Sequence, residues 1–241
     1  MKKINLDEGY AYGLGLFETM AVVKGKVIFA DRHLRRLQRG MRQLGIKDSE
    51  EIRACFEKKD ETMKDGMKKV IVSCDNVVTS YGENPYTIKD YERGFHVEIG
   101  EIKRNETSPF TYMKSLNYGV NVTEKRKMKA RGIDEPIFLN SRGELTEGAV
   151  TNIFFVKNDT IYTPKVTCGL LPGILREWLM EEYAMKEAIL LPEDVAEFEE
   201  MFVSNSLLGI MSVRSFGETI FSSQKNAQML YKHYKTVANL G

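Results

Sequence analysis

Apolar runs of strand length alternate irregularly with helix-length amphipathic stretches along this chain. A doubly wound sheet needs strict strand–helix–strand order, so the pattern favours an α+β architecture. Phe17–Val23 and Val27–Ala30, split by Lys24-Gly25-Lys26, read as a β-hairpin. Asp31 reads as the N-cap of a helix with Leu34, Leu37, Met41 and Leu44 on one face, ending near Gly45. A second helix is expected from Asp48 or Ser49 to about Lys64, then a buried strand at Val70-Ile71-Val72 paired with the hairpin. Thr79–Asp90 is polar, holds Gly and Pro, and is the best linker candidate. It separates a first domain, residues 1–85, from a second, residues 91–241.

In the second domain a strand is expected at about Phe95–Ile102 and a helix from about Ser115 to Arg131. Strands follow at Pro136–Asn140, Asn152–Lys157 and Thr160–Thr163, the last two joined by an Asn158-Asp159 turn. Pro172-Gly173 opens a helix, Pro being suited to a first turn. Strands recur at Met201–Ser204 and Ile210–Val213, and a last amphipathic helix covers about Ser223–Asn239.

Lys and Arg total 35 against 34 Asp and Glu, so charge gives no argument for nucleic acid or an anionic membrane. Three scattered cysteines and three histidines lack metal-ligand spacing and point to a reducing cytoplasm without a zinc site. The first residues carry two lysines but no apolar stretch behind them, and no window approaches the roughly 20 apolar residues of a membrane helix.

Four clusters bear on chemistry. Asp31–Leu37 puts Arg32, Arg35 and Arg36 in the opening turns of a helix, either a solvated basic face or a bidentate clamp for a phosphate. Met113-Lys114-Ser115-Leu116-Asn117-Tyr118 sets a lysine among apolar residues, where it either snorkels to water or, desolvated, attacks an aldehyde. Gly143–Asn152 holds Glu147 beside Gly148 before a buried strand, which is turn chemistry or a placed carboxylate. Leu171–Arg176 is a helix N-terminus whose amides suit an anion, as any helix start does.

Taken together and in this order, the clusters resemble the class IV aminotransferases, the fold-type IV pyridoxal-phosphate (PLP) enzymes. The resemblance runs from Tyr12-Gly13-Leu14-Gly15-Leu16-Phe17-Glu18-Thr19 to the final helix. It implies two domains, a small α/β one and a larger one on a β-barrel-like core, with PLP between them. It also implies a homodimer or larger assembly acting on a small amino substrate. Lys114 matches the Schiff-base lysine that also shuttles the substrate's proton. Glu147 matches the carboxylate facing the pyridine nitrogen, which makes PLP a stronger electron sink. Arg36, in the His-x-x-Arg-Leu pattern, matches the phosphate clamp. Ile174 and Leu175 match the phosphate-binding amides, and Ser206 a further phosphate-binding hydroxyl. Tyr118 matches the neighbour of the phenolic oxygen, and Tyr12 a wall of the substrate pocket. Leu175 departs from the family, since many relatives carry a Thr there whose hydroxyl Leu175 lacks.

Within the family, three activities compete: a lyase forming 4-aminobenzoate and pyruvate from aminodeoxychorismate, a branched-chain or D-amino-acid aminotransferase, and a non-catalytic PLP carrier. Both Lys114 and Glu147 argue against the carrier. Asn205-Ser206-Leu207 resembles the lyase segment more than the Gly-Thr-Ala of branched-chain enzymes. Glu147–Asn152 lacks the Gly-Glu-Asn of those enzymes, and Val70–Cys74 shows no Arg-Pro for a substrate carboxylate. The lyase is therefore expected.

Overall fold

The computed structural model describes residues 4–57 and 65–238. The chain divides into two compact units, one of residues 1–85 with 113–118 and one of 86–112 with 119–241.

The first unit opens with α1 (Glu8–Tyr12), absent from the sequence reading and capped by Asp7, whose side chain accepts the Tyr10 amide. Then come β1 (Leu16–Val23), β2 (Lys26–Val27) and α2 (Ala30–Leu44). The hairpin forms, but its second strand is only two residues long. Phe29 turns into the left-handed region at φ 54° and starts α2 ahead of the expected cap, Asp31. After α3 (Glu50–Ala54) come β3 (Gly66–Val72) and β4 (Val77–Gly82). The expected second helix beyond residue 57 falls on 58–64, outside the described residues. The sheet order is β2-β1-β3-β4, all antiparallel, and α2 lays Leu37 and Met41 into a core with Met20, Val22, Val70 and Val72. Half of the stretch expected as linker is therefore regular structure. Its first residues pair as β4 with β3, because strand pairing satisfies their backbone groups even though their side chains are exposed.

Lys114–Tyr118, expected to start a helix, instead is tied to β1. Leu16 bridges Ser115, the Phe17 amide donates to the Lys114 carbonyl at 2.9 Å, and the Leu116 amide donates to Gly15 at 2.9 Å. Gly15 permits this approach, because a Cβ there would meet Leu116 Cδ1 at 2.7 Å and the Val72 carbonyl at 2.8 Å.

The second unit begins with α4 (Ile88–Arg93), also within the expected linker, and β5 (Phe95–Ile99). It continues with α5 (Gly119–Ala130), β6 (Glu135–Leu139), β7 (Leu145–Gly148), β8 (Asn152–Lys157) and β9 (Thr160–Pro164). Then follow α6 (Ile174–Glu182), β10 (Met185–Ala188), β11 (Glu200–Asn205), β12 (Gly209–Phe216), β13 (Thr219–Ile220) and α7 (Lys225–Val237). Asn158 and Asp159 both take positive φ, as the tight β8–β9 hairpin requires. The mixed sheet runs β10-β9-β8-β11-β12-β5-β6-β7, with β13 on β12. It curls until β7 at one end lies beside β8 and β9, which gives the β-barrel-like core. Ile137, Leu145, Ile153, Phe155, Val203 and Val213 fill its interior. This α+β architecture is the fold class expected from the sequence. Among the described residues no helix is long and apolar enough to cross a membrane.

Candidate active site

In the first unit the Lys114 ammonium lies over two aromatic rings, 4.3 Å from the Phe17 centroid and 5.1 Å from that of Tyr118. Those rings meet edge to face at 5.0 Å. Two of the expected residues, Lys114 and Tyr118, thus cluster with Phe17. Lys69 sits over the same Phe17 ring, at 4.7 Å. Tyr12 ends α1 and is 70 % exposed.

Arg36 is held by a residue not singled out from the sequence. From α2 it forks onto Glu18 of β1, with Nε 2.8 Å from Oε1 and an amine nitrogen 2.6 Å from Oε2. His33, one turn earlier, meets Oε2 through Nδ1 at 2.6 Å. Burial works against a charged Glu18, but Arg36 and His33 overcome it and bring the carboxyl down to about 2. His33 itself is pulled down, by burial first and by the nearby Arg36 and Lys114 charges, against the pull of Glu18. A neutral imidazole facing a carboxylate must carry its proton on Nδ1, which leaves the buried Nε2 as a bare acceptor without a partner. The signal was present in the sequence: a lone carboxylate within the apolar run Phe17–Val23 has to be paired if that strand is buried.

In the second unit Glu147, next to last in β7, has both oxygens engaged. Oε1 lies 2.9 Å from an Arg104 amine, and Oε2 accepts the Leu171 amide at 3.0 Å. Glu147 is thereby joined to the loop that opens α6, bringing two of the expected clusters together. Asn152, the first residue of β8, shapes that loop by donating to the Leu171 carbonyl at 2.9 Å. Its Oδ1 fills the space a Cβ on Gly173 would need, 2.0 Å away. Gly173 caps α6 with no side-chain hydrogen bond, and the helix begins at Ile174 and Leu175. Ser206 follows β11 in a turn built by Asn205. The Asn205 side chain accepts the Leu207 and Leu208 amides, each at 2.9 Å, and donates to the Val150 carbonyl and the Tyr86 hydroxyl, each at 3.2 Å. Nothing in the sequence marked Arg104, since it stands in a polar run that reads as loop.

The first unit thus carries a lysine over two aromatic rings, and the second a buried carboxylate tied to the loop that opens a helix. The amino-transferase class IV family model matches residues 15–216, and the chain belongs to that family. Enzymes of this family work with PLP. The chain is 26 % identical to the aminodeoxychorismate lyase of Bacillus subtilis, over 97 % of this chain and 89 % of that one. It is 25 % identical to the probable branched-chain-amino-acid aminotransferase of Rickettsia conorii, over 96 % and 89 %. The crystal structure of 4-amino-4-deoxychorismate lyase from Pseudomonas aeruginosa superposes with a TM-score of 0.84, at 23 % identity, over 98 % and 96 %.

Proposed function

We propose that this protein is a PLP enzyme that releases pyruvate from aminodeoxychorismate and leaves 4-aminobenzoate. The donor set suits the cofactor. A buried carboxylate complements a protonated ring nitrogen, and a helix start without a side-chain cap complements a phosphate. A lysine held among aromatic rings suits an aldehyde. When bound, PLP supplies the electron sink that stabilises negative charge on the carbon bearing the substrate nitrogen. Lys114 Nζ anchors the cofactor and then moves the proton of that carbon. Glu147 holds a proton on the ring nitrogen. Arg36, the Ile174 and Leu175 amides and the Ser206 hydroxyl bind the phosphate. Tyr118 lies by the phenolic oxygen, and Tyr12 lines the substrate side. The acting form is a homodimer in a reducing cytoplasm, in keeping with three free cysteines.

The observation that carries the lyase reading is the Asn205 side chain. Its four hydrogen bonds shape the turn around Ser206, and the glycine of a Gly-Thr-Ala segment has no side chain to make them. Purified enzyme is expected to form 4-aminobenzoate from aminodeoxychorismate and to transaminate L-leucine, L-glutamate and D-alanine slowly or not at all. Efficient leucine-to-2-oxoglutarate transfer without 4-aminobenzoate would replace the reading with the branched-chain one. The same outcome with D-alanine would favour a D-amino-acid aminotransferase.

The phosphate assignment has its own test. A charge-assisted hydrogen bond contributes about 1.5–3 kcal/mol, which is roughly tenfold or more in affinity. Arg36→Ala is expected to raise the PLP dissociation constant by about that factor. Arg35, its exposed neighbour, should leave it nearly unchanged when replaced by Ala. Equal effects in a fluorescence titration would show that Arg36 does not reach the phosphate.

A further inference from the structure

Arg104 is mostly, not fully, withdrawn from water, at a cost that the assigned roles do not explain. Its backbone amide donates to the Leu139 carbonyl at 2.7 Å, and its side chain is 13 % exposed. The guanidinium carbon lies over the Phe138 ring, 4.3 Å from the centroid. One amine donates to Asn121 Oδ1 at 3.1 Å, and the other meets Glu147 Oε1 at 2.9 Å. Asn121 in turn donates to the Ala149 carbonyl at 2.7 Å, so the pair grips the end of β7 by side chain and by backbone. The Nε–H has no partner. A buried donor left unmet costs about 1–3 kcal/mol. The head group is therefore oriented by Glu147, Asn121 and Phe138 rather than by its own full satisfaction.

In a buried site a neutral carboxyl is the cheaper form unless a cation stands beside it. A protonated carboxyl next to a pyridine nitrogen would donate a hydrogen bond and keep its proton. A carboxylate leaves that proton on the nitrogen, and only then is the ring a strong electron sink. We propose that Arg104 is a positioning residue that holds Glu147 as an oriented anion, so that the single proton between them stays on the cofactor's ring nitrogen and not on the Glu147 oxygen. This rests on Glu147 being the partner of that nitrogen.

The test uses holoenzyme loaded with PLP carrying nitrogen-15 in the ring, whose chemical shift separates protonated from neutral nitrogen. Wild type should show the protonated value and Glu147→Gln a move to the neutral one. Arg104→Met keeps an unbranched chain on Phe138 but removes the charge, and should move the signal in the same direction by more than half that span. Arg104→Lys, which keeps the charge and one donor, should restore most of the wild-type value. Should Arg104→Met fail to accumulate, Asn121→Asp offers the guanidinium a second carboxylate, and a smaller move the same way is expected. A signal that moves with Glu147→Gln but stays at the wild-type value in both the Arg104→Met and the Asn121→Asp enzymes overturns the role of Arg104 and leaves that of Glu147 standing. A signal unmoved by Glu147→Gln overturns both.

Discussion

Lys114→Ala is expected to abolish turnover while the protein folds normally. Proton transfer by a positioned base is worth roughly a hundred- to ten-thousandfold, and the covalent anchor is lost with it. The fold has little reason to suffer. The ties between this segment and β1 run through backbone groups of Lys114, Leu16, Phe17, Ser115 and Leu116, which alanine keeps. The ammonium contacts to Phe17 and Tyr118 that go with the side chain are worth about 0.5–1 kcal/mol each at a partly exposed site. Borohydride treatment of wild-type holoenzyme should fix the cofactor on Lys114, and in the variant it should fix none. Lys69 is the natural rival, because its ammonium lies over the same Phe17 ring, 4.7 Å from the centroid. Peptide mapping that found the label on Lys69 would overturn the assignment.

Glu18→Ala is expected to destabilise the first unit strongly, by about 3–5 kcal/mol in a chemical denaturation curve. Glu18 is 1 % exposed and holds both Arg36 and His33, so its removal leaves a guanidinium and an imidazole without their common acceptor. The same cluster sets a pH dependence. The folded pKa of His33 is depressed below its free value of 6.5, and that of Glu18 falls from 4.5 to about 2. In both cases the unfolded chain binds more protons at acid pH, so stability rises with pH. The His33 contribution should begin to be lost as pH drops below about 6.5. The Glu18 contribution should be lost from about 4.5 downward, reaching completion near 2. Wild type should therefore lose stability on acidification, and Glu18→Ala should lose less over the lower part of that range. Parallel curves for the two proteins below pH 4.5 would mean that Glu18 is not ionised in the fold.

Much of the architecture was legible because periodicity reports burial directly. The stretch Asn152–Lys157 is apolar almost throughout and forms β8 as expected, with the Asn158-Asp159 turn after it. The amphipathic stripe of α2 buries Leu37 and Met41 as its spacing requires. The elements that were missed have weak side-chain signals. β4 is half-buried over Val77–Thr79 and exposed over Ser80–Gly82, and exists because β3 offers it backbone partners, while β10 is four half-buried or exposed residues paired in parallel with β9. The start of α5 differs because Lys114–Tyr118 has ordinary helix-compatible residues, and its contacts with Gly13, Gly15 and β1 hold it out of the helix.

The sequence by itself determined the α+β class, the hairpins, the helix starts at Gly173 and the list of chemically capable residues, since these follow from local spacing and turn chemistry. Only the tertiary structure decided what each of those residues faces. Arg36 is forked onto Glu18, 18 positions away in the chain. Glu147 is paired with Arg104 and tied to Leu171, 24 positions away. The physical reason is that a charge's effect depends on what replaces its water, and that replacement comes from strands and loops distant in sequence. A pattern of residue types states which groups are available; packing alone states which are desolvated, which are paired and which keep their protons.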